Sequence, residues 1–290
     1  DPATGRLLHL MQKCDQPIVT VQAVSQLGRL AVGMADGTVQ LWRLPEGTLL
    51  QSFPQLVPGL TFLQQSPEGR WLVALDQRGQ LAVYTAGGEL HLKLAALSHP
   101  LLGAKFSADG EQLLLWGHSH VLGPIALGPA TASPGEQPSP TLHTEVMAVH
   151  EREGDWLAAV KAPGRTDVGF LRSRRSVCSL PVQLGWGRSA CFSPDGNRLL
   201  LVGDDGRGHI WDPASGRLAC ELGAALGLIE SLMFSKDGTQ VFVISPESVQ
   251  IFDTGSGRLI SRRTLPEGRV GRVAVTADSS RLLLVTQSGA

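Results

Sequence analysis

The sequence predicts an all-β fold made of repeated four-stranded units. Three observations carry this prediction: a short turn motif recurs at a near-constant interval, apolar runs of four to six residues separate the turns, and no segment shows a sustained helical period. With 34 Gly and 18 Pro in 290 residues, turn formers also exceed their usual share. We therefore expect many short strands joined by tight turns, and almost no helix.

The turn motif, Ser-x-Asp-Gly in its clearest form, sets the period. Copies, some of them degenerate, begin at Ser25, Ser66, Ser107, Ser193, Ser235 and Thr276. Neighbouring starts lie 41 or 42 residues apart, and the interval of 86 from Ser107 to Ser193 spans two periods, with a degenerate copy at 150–154. A four-stranded unit of this length is the size of one blade of a β-propeller. A β-sandwich with accidental spacing is the alternative.

The strands that follow each motif have the composition of buried blade strands. Leu199–Val202 and Leu282–Val285 are continuously apolar, as expected of strands covered on both faces. A second run then ends in an aromatic or large residue, and another turn leads to a final short strand. Because one blade cannot bury both of its faces, the blades must stack on one another.

The length predicts seven blades in a single domain over residues 1–290, at about 42 residues per unit. Residues 1–7 match 212–218, so we expect the first strand and the last two strands to share the closing blade, with one strand missing. The chain is then expected to be a fragment of a longer repeat array. Residues 128–144 are rich in Pro, Ser, Thr and Gly, which predicts a loop insertion.

One segment resembles a known repeat family. From Asp205 to Asp212 the chain resembles a WD40 repeat, in which a turn Asp lies six residues before a Trp that ends the third strand. Asp36 and Trp42 repeat that spacing. No unit has the family's Gly-His pair before its first strand, and Arg78 and Pro246 replace the turn Asp in the second and sixth units. We therefore expect stacking and backbone pairing to outweigh the family's buried polar network.

The turn pattern Asp-x-x-[Ser/Thr]-Gly-Arg-Leu resembles the WD arrays of NACHT and WD repeat-type intracellular signalling proteins. This resemblance implies protein partners on one propeller face, contacts with other domains of a parent chain, and an intracellular, cytoplasmic setting. It also implies one alternative function, a regulatory cap that holds an attached NACHT-type ATPase inactive.

Composition argues against several other classes. The net charge is −1 and the pI is about 6.8, so the basic balance typical of nucleic-acid binding is missing. The four cysteines are widely spaced without a C-x-x-C pair, and the opening residues and the longest charge-free stretch lead us to expect neither a signal peptide nor a membrane span. We expect a reducing setting, no nucleic-acid or membrane partner, and buried, inert cysteines, of which Cys191 lies in a predicted inner strand.

Catalytic motifs are hard to find, and we expect no enzyme activity, cofactor or metal. His118 and His120 could be metal ligands, but their position favours a surface loop. A propeller enzyme with a metal in its axial channel remains an alternative, with His118, His120 and Asp204 as candidates. Arg172–Arg175 could contact phosphate or an acidic peptide, but a solvated turn is favoured.

The leading hypothesis is a non-catalytic protein-interaction scaffold, or a regulatory or sensing module. Its contacts would come from loops that join second to third strands or successive blades. Trp186, flanked by glycines, suggests an interface anchor, although it could instead fold back onto a neighbouring blade. The predicted partner-binding residues are Met34, Gln77, Arg78, His118, His120, Arg165, Trp186, Asp204 and Arg207.

Overall fold

The computed structural model describes most of the chain as β-structure. It covers residues 16–24, 28–44, 46–94, 101–117, 121–127, 140–142, 146–152, 154–182, 190–203, 205–223, 226–265, 269–275 and 282–287. No residue in these ranges is helical. The predicted all-β class is therefore confirmed for the part of the chain that the structure describes.

Two compact units divide the chain, the first comprising residues 1–143 and 271–287. Its first blade is β1 (Ile18–Val24), β2 (Arg29–Met34), β3 (Val39–Arg43) and β4 (Thr48–Phe53). The second is β5 (Leu60–Gln65), β6 (Trp71–Asp76), β7 (Leu81–Thr85) and β8 (Leu90–Leu94). The third is β9 (Leu101–Phe106), β10 (Gln112–Gly117), β11 (Val121–Ala126) and β12 (Pro140–Leu142).

The second unit comprises residues 144–270 and 288–290. Its first blade is β13 (Val146–Arg152), β14 (Asp155–Ala162), β15 (Arg165–Phe170) and β16 (Ser176–Leu180). The next is β17 (Ala190–Phe192), β18 (Leu199–Val202), β19 (Gly208–Asp212) and β20 (Arg217–Glu221). The last is β21 (Ser231–Phe234), β22 (Gln240–Ile244), β23 (Ser248–Asp253) and β24 (Leu259–Thr264).

The blade count differs from the prediction. In the described ranges six sheets have four antiparallel strands each, and β25 (Arg269–Val275) pairs only with β26 (Leu282–Gln287). The described residues thus form six four-stranded blades, and the prediction of seven is wrong. The repeat period counts turns and apolar runs, but a closing blade also requires strands from opposite ends of the chain to pair. Residues 1–7, which were expected to supply that strand, lie outside the described residues.

Most of the predicted insertion at 128–144 also lies outside the described residues. Within it, Pro140–Leu142 forms β12 and pairs with β11 through the Val121–Leu142 and Leu122–Pro140 registers. A short stretch of the predicted loop is therefore the fourth strand of the third blade.

The cores lie between adjacent blades. Trp71, Val73 and Leu75 of β6 pack in a cluster with Phe106 and Leu113 of the next blade. The alternate residues of β6 pack with the preceding blade, which explains why the strand is apolar on both faces. In β18 the same alternation sends Leu199 and Leu201 to one cluster and Leu200 and Val202 to another. These contacts confirm the predicted stacking between the blades concerned.

The recurring turn is held by its serine and its aspartate. In the Ser193 copy, Ser193 Oγ donates to Asp195 Oδ1 at 2.5 Å and accepts from the N–H of Arg198 at 2.9 Å. The Ser235 copy repeats this pattern with Asp237 and Gln240, at 2.6 and 2.9 Å. The motif recurs because these hydrogen bonds close the hairpin between the first and second strands.

Outer strands share a feature that the sequence did not reveal. In five blades the register shifts between the third strand and the fourth, outer strand. The outer strand therefore contains one extra residue that has no partner in the third strand. The extra residues are Leu50, His91, Val177, Ala219 and Ile260.

Candidate partner-binding site

Five of the nine predicted site residues lie in described positions. The other four, His118, His120, Trp186 and Asp204, lie outside the described residues, so their roles stay predictions.

Met34 is not available to a partner. Its side chain is 4% exposed and packs with Leu30, Val32 and Trp42. Met34 is the last residue of β2, where its N–H bonds to the carbonyl of Thr38 and the side chain faces the core. The prediction that this residue lines the binding face is wrong because the strand extends to it before the loop begins.

Gln77 and Arg78 are exposed in the loop between β6 and β7. Asp76 Oδ1 accepts the N–H groups of Arg78 and Gln80, both at 2.8 Å. Asp76 therefore acts as the turn aspartate of this blade, two residues before the expected position, and leaves the Arg78 side chain at the surface.

Arg165, at the start of β15, is exposed but already engaged. Its Nε donates to Asp167 Oδ1 at 2.9 Å, and Ser179 Oγ donates to the same oxygen at 2.5 Å. These two hydrogen bonds lower the pKa of Asp167. A partner that uses Arg165 must share it with this carboxylate or displace it.

Arg207, in the loop between β18 and β19, belongs to a small charged group. Its Nη1 lies 3.9 Å from Glu221 Oε2, while His209 lies between Asp205 and Glu221, with N···O distances of 3.6 and 3.8 Å. The N–H of Arg207 donates to Asp205 Oδ1 at 3.0 Å, the main reason why the pKa of Asp205 is lowered. The Arg207 side chain is exposed at the edge of the blade.

Leu228 is the most exposed large apolar residue among the described residues, at 81%. It lies in the connection from β20 to β21. Leu226, two residues before it, is 2% exposed, and its N–H bonds to the carbonyl of Gly206 at 3.2 Å. Two residues after it, the N–H of Glu230 bonds to the carbonyl of Ile244 at 2.8 Å. Leu228 is thus displayed by a loop that is held on both sides.

Sequence reasoning missed Leu228 although a weak signal was present. Gly227 directly precedes it with φ of 67°, a left-handed conformation that turns the chain outward. The sequence alone does not distinguish Leu228 from Leu226 and Ile229, which pack against the core between the last two blades of the second unit. Only the packing of that loop separates the displayed residue from its buried neighbours.

Trp211 ends the third strand of the blade that best matches the WD40 pattern. Among the described residues it lacks the hydrogen-bond partner that the WD40 resemblance implies. Trp211 Nε1 is buried and has no hydrogen-bond partner among the described residues. This agrees with the absence of a Gly-His pair before the first strand of this blade. Trp211 contributes to the core with Phe170 and Leu199 through packing alone.

Other kinds of site find little support. In the described ranges no three His, Cys, Asp or Glu side chains cluster so as to hold a metal ion. No described helix is long and apolar enough to span a membrane. The cysteines at 178, 191 and 220 are half-buried and form no disulfide within the described part of the chain.

Comparisons with known proteins agree with this fold. The family model "WD domain, G-beta repeat" matches residues 188–212. The solved β-propeller domain of Cps50 (Swd1) from Myceliophteria thermophila has 17% sequence identity and a TM-score of 0.77, with 94% of each chain covered. No curated protein sequence matches the chain.

The chain is therefore an all-β protein with a β-propeller fold. More particularly, residues 188–212 match the WD40 repeat model, which confirms the resemblance found in the sequence. The finer resemblance to NACHT and WD repeat-type proteins stays a prediction.

Proposed function

We propose that this chain is a non-catalytic protein-interaction scaffold whose second unit binds a partner through the loops that follow β18 and β20. The proposal rests on one observation, the display of Leu228 at 81% exposure on a loop anchored at both sides. An apolar side chain held in a fixed position loses little conformational freedom when a partner covers it. Its burial would then contribute about 1.5–3 kcal/mol.

Charged residues near Leu228 could form the polar rim of an interface that has Leu228 at its centre. Gly206, in the Arg207 loop, is bonded to Leu226, and Glu230 follows Leu228 closely. Arg207 and Glu230 are exposed. An apolar anchor with charged neighbours is the usual arrangement of a transient protein interface. Trp186 is expected in the preceding inter-blade loop, and would add an aromatic contact at the same end of its blade.

The proposed setting is intracellular and cytoplasmic, with other domains of a parent chain as further partners. The wide spacing of the cysteines, without a C-x-x-C pair, supports a reducing setting. A sensing or regulatory role would use the same loops.

Affinity capture with quantitative mass spectrometry tests the site. Proteins that bind the wild-type chain should be depleted at least about tenfold when Leu228→Glu is the bait, because a buried carboxylate is costly. Leu90→Glu is the matched control, since Leu90 is 55% exposed on β8, in the other unit. Retention of the same proteins by both variants would contradict the proposal.

A second bait variant tests the residues predicted from sequence. Unchanged capture by a bait that combines Trp186→Ala, Arg78→Ala and Arg165→Ala would contradict the assignment of these residues to the partner-binding surface. Stoichiometric zinc or calcium in the purified protein would instead favour the propeller enzyme, and a rise in ATPase activity on deletion of the propeller would favour the regulatory cap.

A further inference from the structure

We infer that the outer strands β20 and β24 form a second interaction surface, which binds an acidic, apolar segment of a partner protein. This surface comprises Leu218, Leu259 and Ile260 together with Arg217, Arg258 and Arg262, and we name it the outer-strand surface. It is distinct from the loops around Leu228 and does not depend on them.

Its apolar part lies at a position where four blades carry an exposed leucine, at Leu49, Leu90, Leu218 and Leu259. Leu218 pairs with Trp211 and Leu259 pairs with Phe252, and in both blades the register shift follows immediately. Leu218 and Leu259 are each 42% exposed, and Ile260, the extra residue of β24, is 53% exposed. These half-exposed aliphatic side chains offer a partner an apolar contact.

The two strands are joined by contacts between their blades. The turn that precedes β24 lies against β20, where Gly223 N–H donates to Gly257 O at 2.8 Å. In the same place Cys220 Sγ donates to Thr254 O at 3.3 Å. A peptide that covers Leu259 can therefore continue towards β20 without crossing a gap between the blades.

Charge identifies the partner's chemistry. Arg217, Arg258 and Arg262 are exposed, and none of them forms an ion pair within the described part of the chain. In the adjoining turns Asp212 accepts from Ser215 and Asp253 accepts from Ser256, and Glu221 of β20 faces Arg207 and His209. A segment with acidic side chains complements the three guanidinium groups.

Protection of the sheet edge is the competing explanation. Charged side chains and bulges keep the outer strand of a sheet from pairing with another chain. That explanation accounts for the arginines and the register shifts. It does not account for three exposed aliphatic side chains beside them, since polar residues would protect the edge better.

Fluorescence anisotropy with a labelled peptide of alternating glutamate and leucine tests the inference. The wild-type chain should bind this peptide saturably, and binding should weaken as salt is added. Peptides with lysine in place of glutamate, or serine in place of leucine, should bind at least about tenfold more weakly. The variants Arg258→Glu with Arg262→Glu, and Leu259→Ser with Ile260→Ser, should each cause a similar loss.

The first blade provides a matched control. Leu49 and Leu50 of β4 occupy the positions of Leu259 and Ile260, are 46% and 37% exposed, and lie in a strand with no charged residue. Leu49→Ser with Leu50→Ser should leave peptide binding within about twofold. An unchanged thermal unfolding midpoint would show that the β24 variants are folded.

Several outcomes would overturn the inference. These are no saturable binding by the wild-type chain, equal binding of the lysine peptide, or equal losses from the β4 and β24 variants. Sedimentation with phosphatidylserine vesicles in place of peptide binding would assign the arginines to a lipid surface instead.

Discussion

The α-carbon of Gly257 lies directly against the carbonyl oxygen of Glu221 in the preceding blade, so a β-carbon at position 257 would overlap that backbone atom. Gly257 also has φ of 69°, which side chains rarely adopt. It thus combines a turn conformation with a close approach between blades. A contact of this kind makes the hairpin turn part of the blade interface.

Gly257→Ala should therefore destabilise the chain more than Gly238→Ala. Gly238 has φ of 70° but open space where its β-carbon would lie, so its replacement costs only the backbone strain, about 1–2 kcal/mol. Overlap with Glu221 should add about 1–3 kcal/mol at position 257. Chemical denaturation of both variants measures the difference, and equal losses would show that the blades separate easily here.

Asp155 should make the free energy of unfolding depend on pH in the acid range. Burial raises the pKa of its carboxyl, but the N–H groups of Ser173, Arg172 and Trp156 outweigh burial and lower it. Because the pKa is lowered on folding, the Asp155 carboxylate stabilises the folded chain fully at pH values above its ordinary pKa of about 3.9. This stabilisation is lost as the pH falls through the pKa of the folded state.

Asp155→Asn should destabilise the chain by about 1–3 kcal/mol at neutral pH, since its amide can replace only one of the two accepting oxygens. The variant should also lose less stability than the wild type below about pH 4. Urea unfolding across the acid range checks both effects. Parallel curves for the two proteins would show that Asp155 does not titrate with folding.

Cys178 should resist alkylation in the folded chain. Burial, with smaller effects from Asp212 and Asp167, raises the pKa of its thiol to about 11. Since the thiolate is the reactive form, iodoacetamide at pH 8 should modify Cys178 about a hundredfold more slowly in the native chain than in urea. Peptide mapping by mass spectrometry measures the alkylation of Cys178 separately from that of the other cysteines. Similar alkylation rates in the native chain and in urea would contradict the prediction.

Arg70 and Glu111, on turns one period apart, form an ion pair with an N···O distance of 2.7 Å. Their side chains are 52% and 42% exposed, so the pair should contribute less than about 1 kcal/mol. A double-mutant cycle with Arg70→Met and Glu111→Gln measures the coupling, which should shrink further at high salt. A larger, salt-independent coupling would mean that the pair is shielded from solvent.

Much of the local architecture could be predicted from particular residues. Ser193 and Asp195 indicated a hairpin turn because their hydrogen bonds are local, and Leu199–Val202 indicated a buried strand because its apolar run is unbroken. Met34 was placed wrongly because the end of β2 depends on how far β3 pairs with it. Leu228 was missed because its apolar neighbours Leu226 and Ile229 are chemically similar to it and pack in the core instead.

The sequence by itself determined the all-β class, the turn positions, the repeat interval and the WD40 resemblance, since each depends on residues close together in the chain. Tertiary structure decided the number of four-stranded blades, the exposure of Leu228 and the adjacency of β20 and β24. Those features depend on pairing and packing between segments far apart in sequence, where many partners are chemically equivalent and only geometry selects among them.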